Sequence, residues 1–221
     1  MPLLRQRSAR RMNLSLSTLR EKISSLPGDL PPESPCPPAL FNAPPRPAAV
    51  LVPLLQQPDG WHLLFIRRTQ NPHDRHGGQV AFPGGRCDPD DPDAEAAALR
   101  EAEEEIGLRP EDVTLLGRLR PMITITNYRV TPVVGVMPWP YPLQAQPEEV
   151  SRIFTIPLAW LADSTNRRVE WRHLDPPLNP IPVIYFRPYD GETLWGASAL
   201  ITLLLLETLG LAHPQQRYAS S

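Results

Sequence analysis

The run Arg100-Glu101-Ala102-Glu103-Glu104-Glu105-Ile106-Gly107-Leu108 sets Glu101, Glu104 and Glu105 at i, i+3 and i+4, so a helix containing them carries three carboxylates on one face. Unpartnered, they repel, at about 0.2–0.5 kcal/mol for each exposed pair, a cost that a solvated surface tolerates. A plain glutamate-rich solvent face is therefore the default reading. Phe82-Pro83-Gly84-Gly85, just ahead, changes it: a strand end followed by two glycines lets backbone approach a ligand where a side chain would obstruct. Carboxylate oxygens suit Mg²⁺ or Mn²⁺, which keep several waters and bind through a few carboxylates together with substrate phosphates. The cluster and the glycine pair together point to phosphate chemistry.

The elements that must position these residues follow from the patterning. Asp93 to Ile106 predicts a helix, capped by Asp93, with Ala98, Ala102 and Ile106 at a four-residue interval and Gly107 as terminator. Ala49 to Leu55 and Trp61 to Arg67 read as strands joined by a turn at Pro58-Asp59-Gly60, and Gln79 to Phe82 as a short strand ending at Pro83. Further strands are expected at Val113 to Arg118, Ile123 to Ile125, Arg129 to Met137 and Ile153 to Ile156, the last entering a short helix over Pro157 to Ala162. Val169 to His173 and Pro182 to Phe186 resemble a closing hairpin, and Thr193 to Leu209 a final packing helix. Ser17 to Ser25 predicts a short helix stopped by Pro27-Gly28, whereas the prolines from Pro27 to Pro47 argue against helix and central strand alike. The expected organisation is a Pro-rich, partly mobile N-terminal extension over 1–47 with a short helix, one domain over 48–211, and a tail over 212–221.

Composition narrows the function. A chain of 221 residues suffices for one α/β domain, and a net charge of −2 gives no basic field for a nucleic-acid backbone. Cys36 and Cys87 are too few and too separated for a zinc site or disulfide framework, which points to a reducing compartment. No apolar run of about 18 residues is present to span a bilayer. Arg5, Arg7, Arg10, Arg11 and Arg20 without an acid resemble a mitochondrial presequence, but a basic leader on a bacterial cytoplasmic protein is preferred, Lys22 being the sole lysine among many Arg, Pro and Ala.

Arg100 to Leu108 matches the second half of the Nudix signature, Arg-Glu-U-x-Glu-Glu-x-Gly-U with U apolar, at every defined position. The first half departs. Counting from Gly85, the acidic position falls on Asp91 rather than Glu, and eight residues rather than seven separate it from Arg100. Asp88 and Asp91 resemble instead the Gly-Gly-x-x-Asp-x-x-Asp variant of the coenzyme A branch. The resemblance implies an α/β/α sandwich with a mixed sheet and a central loop-helix-loop catalytic motif. It implies that Glu101, Glu104 and Glu105 hold Mg²⁺ or Mn²⁺ and that Arg100 orients them through a salt bridge, Asp91 being a candidate partner. Glu103, at the variable position, is left out.

Substrate choice is read outside that box. Leu63 to Thr69 and Arg75 to Gly85 resemble the coenzyme A pyrophosphatase motif: Gly78, the three-residue interval and Phe82 to Gly85 match. Asp74 stands where the motif has its second arginine, with Arg75 one step later, as though one residue were inserted near Pro72. Arg68 and Arg75 are candidates to grip the 3′-phosphate of coenzyme A by bidentate bonds, and Gly84 and Gly85 to line the substrate site; surface ion pairs, as with Asp74, are the plain alternative for the arginines. Val130-Thr131-Pro132-Val133-Val134-Gly135 and Trp195-Gly196-Ala197-Ser198-Ala199 also resemble the family, Trp195 reading as core before ligand-stacking.

The implied reaction is attack of water on coenzyme A or acyl-coenzyme A, giving adenosine 3′,5′-bisphosphate and (acyl-)4′-phosphopantetheine, with Glu104 or Glu149 as base. The alternatives are a Nudix hydrolase of ADP-ribose or other nucleoside diphosphate derivatives and a non-catalytic module that senses a nucleotide or coenzyme A. The expected partner is this small molecule, with no nucleic acid and no membrane, and a homodimer is left open.

Overall fold

The computed structural model describes residues 14–27, 30–70, 77–174 and 179–218. Arg75, Asp74 and Pro72 lie outside the described residues, as do residues 1–13 of the basic leader.

In chain order the helices are α1 (Leu16–Ser24), α2 (Ala94–Ile106), α3 (Leu158–Ala162) and α4 (Gly196–Thr208). The strands are β1 (Arg46–Gln57), β2 (Gly60–Arg68), β3 (Val80–Ala81), β4 (Gly84–Arg86), β5 (Thr114–Arg118), β6 (Met122–Ile123), β7 (Tyr128–Val136), β8 (Val150–Pro157), β9 (Arg167–Arg172) and β10 (Ile181–Phe186). β1 is the axis of a mixed sheet: parallel to β7 on one side, antiparallel on the other to β4 and then to β2. β9 and β10 form the separate hairpin.

Alternation along β1 sorts its side chains between two cores. Ala49, Leu51 and Leu55 pack with Leu64, Ile66 and the α2 residues Ala97, Ala98, Ala102 and Ile106. Ala48, Val52 and Leu54 face the other way, toward α4 and the α1 residues Leu19 and Ile23. The sheet therefore lies between helical layers. α4 is apolar around nearly its whole circumference, and Ala199 to Leu206 are all buried, as that composition demands.

Two expectations are corrected. The prolines up to Pro47 do not keep that stretch out of the sheet: β1 already includes Arg46 and Pro47, paired with Tyr128 and Arg129. Pro47 keeps half of its pairing on the β4 side, where its carbonyl accepts from the Cys87 amide at 3.2 Å, and β7 runs parallel to it on the other side. Upstream, Glu33 bridges Met122, and a 3₁₀ turn spans Pro38–Leu40. The second correction is β4 itself, since the glycine pair read as loop forms a strand on β1. Pro53, mid-strand, falls where β1 changes neighbours: Leu51 still donates to the Pro83 carbonyl, and pairing with β2 begins at Leu54.

Candidate active site

α2 is set by its ends and one face. Asp93 accepts from the Ala96 amide at 2.9 Å, and Gly107 closes the helix with φ 67°, the left-handed conformation that favours glycine. Its alanines press on β1, a close approach that larger side chains would prevent. This rotation fixes where the carboxylates go.

Glu105 points inward, with its side chain 1% exposed. Its Oε2 accepts from the Gly84 amide at 2.9 Å and its Oε1 from Arg68 Nη1 at 3.3 Å. Burial pushes its carboxyl up to about 7, opposed by the Gly84 amide and Arg68 and reinforced by the charges of Glu101 and Glu149. Glu101, 17% exposed, is raised for the same first reason. Glu104 is 59% exposed and Glu103 faces solvent, as the helical spacing predicts.

Arg100 gathers the acids. Its Nε and Nη2 donate to the two Asp91 oxygens at 3.1 and 3.0 Å, and its Nη1 to Glu101 Oε1 and Glu104 Oε2, each at 3.1 Å. Nη2 also reaches the Arg86 carbonyl at 3.1 Å. Asp91 in turn accepts from the Asp88 amide, and Arg100 holds its carboxyl below the ordinary range. The fork geometry of guanidinium makes such a pairing directional.

The expected site residues divide by these contacts. Glu101, Glu104, Glu105, Arg100, Gly84 and Gly85 come together with Arg68, whereas Arg75 lies outside the described residues. The glycines approach the chain's own carboxylates: a Cβ on Gly85 would stand 2.5 Å from Glu101 Oε1. Arg68, expected at a substrate phosphate, lies against Glu105. Behind the glycine strand, on the sheet face away from α2, opens a cavity of about 660 Å³ floored by Ala48, Val50 and Val130 and bordered by Arg68, Gly84 and Gly85. Trp195 is both wall and packing, half-buried in that lining and stacked on Tyr185 at 5.5 Å between centroids. Sequence reasoning missed Arg86 and Tyr128 in the lining, and Arg46 against the Tyr128 ring. The signal for Arg86 was its place in strand alternation with Gly85, legible only once β4 is known to be a strand.

A match to the NUDIX domain spans residues 45–174. The "Uncharacterized Nudix hydrolase NudL" of Yersinia pestis is 39% identical over 172 residues, covering 77% of this chain and 83% of that one. The chain belongs to the Nudix family. Its counterpart in Yersinia pseudotuberculosis gives the same figures. Among solved structures, the Nudix hydrolase RenU of M. smegmatis aligns with a TM-score of 0.46 at 25% identity, covering 55% of this chain and 76% of that one. An Ap4A hydrolase of C. elegans aligns with a TM-score of 0.44 at 21% identity, covering 50% and 80%.

As a Nudix hydrolase the chain acts on nucleoside diphosphate derivatives, and Nudix hydrolases generally use divalent metal ions such as Mg²⁺ or Mn²⁺. Among the described residues no three Asp, Glu, His or Cys side chains stand together as a ready metal cage. Arg100 draws Glu101 and Glu104, while Gly84 and Arg68 draw Glu105. The donors nonetheless fit: they are all hard oxygens, and the missing Cβ of Gly85 leaves Glu101 room beside the strand. No helix of the described residues is long and apolar enough to cross a membrane.

Proposed function

We propose that this Nudix hydrolase cleaves coenzyme A or its acyl thioesters to adenosine 3′,5′-bisphosphate and (acyl-)4′-phosphopantetheine. The observation that carries the reading is the pairing of Asp91 with Arg100, because the Gly-Gly-x-x-Asp-x-x-Asp register of the coenzyme A branch supplies a carboxylate that reaches the catalytic arginine across the longer spacing. Gly78 and Phe82 to Gly85 of the same motif add to it, and the cavity beside Gly84 and Gly85 has the size and apolar lining of a small-molecule site.

Glu101, Glu104 and Glu105 would hold Mg²⁺ or Mn²⁺. The chemistry such an ion supplies when bound is activation of a water and neutralisation of charge on the pyrophosphate. Arg100 holds Glu101 and Glu104 in one place, and Gly84 holds Glu105. Glu104, the most exposed of the three, is free of burial and open to a water; we assign it the base role over Glu149.

Hydrolysis assays with coenzyme A, acetyl-coenzyme A and ADP-ribose side by side test the reading. Coenzyme A substrates should be turned over with Mg²⁺ or Mn²⁺, and Glu104→Gln should lower kcat by about a hundredfold or more. Intact coenzyme A alongside cleaved ADP-ribose overturns the substrate, and full turnover by Glu104→Gln overturns the site.

A further inference from the structure

We propose that Arg46 and Arg86, set around Tyr128 of the cavity lining, form a subsite for a terminal phosphomonoester carried by the substrate. This rests on the reading of the cavity as the site of a nucleoside diphosphate derivative.

Sheet register puts the three side chains together. Residues directly opposite on paired strands share a face. Arg46 is opposite Tyr128, while Ala48 is opposite both Val130 and Arg86. Arg46, Ala48 and Val50 alternate onto one face of β1, so Arg86 and Tyr128 also lie on the cavity side, away from α2. Gly85, one residue before Arg86, faces Glu101 instead. β4 thus presents the acidic cluster to one side and a cation to the other within two residues.

The contacts show two guanidinium groups on one ring. Arg46 lies 4.1 Å from the Tyr128 centroid and Arg86 5.8 Å, and Arg86 Nε donates to the Tyr128 hydroxyl at 2.8 Å. Arg46 also donates to the Thr126 carbonyl at 3.4 Å. Both arginines are exposed, and among the described residues neither has a carboxylate partner. Most arginines of the site region do: Arg67, Arg68, Arg100 and Arg152 are all paired with acids. Two like charges gathered at one ring with no anion between them repel, and a dianionic phosphate offers both the charge and the bidentate acceptors that guanidinium groups take. Tyr128 holds Arg86 in position through its hydroxyl, and the small floor residue Ala48 leaves the approach open.

A phosphomonoester distinguishes coenzyme A from its dephospho form and from ADP-ribose. Binding of adenosine 3′,5′-bisphosphate, 5′-AMP and inorganic phosphate, measured by calorimetry without turnover, reads the subsite directly. The wild-type chain should prefer the bisphosphate to 5′-AMP by about ten- to a hundredfold, the range of hydrogen bonds to a charged group. Arg46→Ala and Arg86→Ala should each pull that ratio toward one, Arg86→Lys should keep part of it, and thermal melts should show all three folded. No preference in the wild-type chain, or a preference untouched by both alanine variants, overturns the proposal. Inorganic phosphate bound as tightly as the bisphosphate makes this a free-anion site and overturns it as well. Coenzyme A turnover is read separately: if coenzyme A stays intact while bisphosphate discrimination persists, the proposed function fails and the subsite stands.

Discussion

One guanidinium organises the acidic helix. Arg100 contacts Asp91, Glu101 and Glu104 together, so the mutual repulsion of the cluster is met inside the protein before any ion arrives. Asp91→Asn keeps the shape of that partner and removes its charge. Loss of such a supporting contact costs roughly 10- to 100-fold in activity or metal affinity, so the Mg²⁺ concentration for half-maximal rate should rise. An unchanged metal requirement would sink the positioning role. At this scale the sequence was readable wherever partners are close along the chain: the family resemblance offered Asp91 as a partner for Arg100, and the helical spacing turned Glu103 outward. It was silent about Arg68 against Glu105, because the burial that draws them together depends on β2 and β4 lying side by side with α2.

The glycine pair shows how an element divides its duties. At Gly84, φ is 150° and an added Cβ would meet the Ala49 carbonyl oxygen at 2.4 Å and Val50 Cα at 2.5 Å, all of it backbone. Gly84→Ala should therefore destabilise the fold by about 2–4 kcal/mol, combining backbone strain with overpacking. Gly85→Ala meets only the end of the Glu101 side chain, which can swing away. Its melting should stay close to wild type while turnover falls, and a comparable loss of stability in both variants would refute the division. Helix α2 was legible to within a residue because cap, four-residue interval and terminator agree. β4 was not, since three residues with two glycines carry no period; only the neighbouring strand makes it one. The start of β1 was misplaced for a related reason, proline propensity yielding to the pairing that β7 and the Cys87 amide supply on either side of Pro47.

Across the whole molecule the two ends of the described chain meet. Arg217, nearly buried, donates to Glu207 and pairs with Glu33 at 2.7 Å, while the Tyr218 hydroxyl donates to Glu33 at 3.4 Å. Breaking a buried pair by removing one partner costs about 3–5 kcal/mol, and Arg217→Met should show a loss of that order in denaturant melts. Tyr218 supplies a pH test. Burial, helped by the Glu33 charge, pushes its phenol up to about 12. An acid raised in the folded state ionises first in the unfolded chain, so its stabilisation is complete below pH 10 and is lost as pH climbs toward 12. The alkaline slope of stability should be shallower in Tyr218→Phe; an identical slope contradicts it. The class of fold was legible from strands and helices mixing around one apolar set. The sharing of the core by α1 and the closure of Glu33 on Arg217 were not, because they join stretches some 180 residues apart.

The stretch matched to the family and the lining of the cavity do not coincide. The NUDIX match covers 45–174 and includes every carboxylate of the acidic cluster, but the cavity wall also draws on Cys36 ahead of it and on Ile181, Trp195, Leu200 and Tyr218 after it. On the proposed function, the glutamates lie inside the matched stretch and part of the substrate wall outside it. On that reading, relatives with the same glutamates need not take the same substrate.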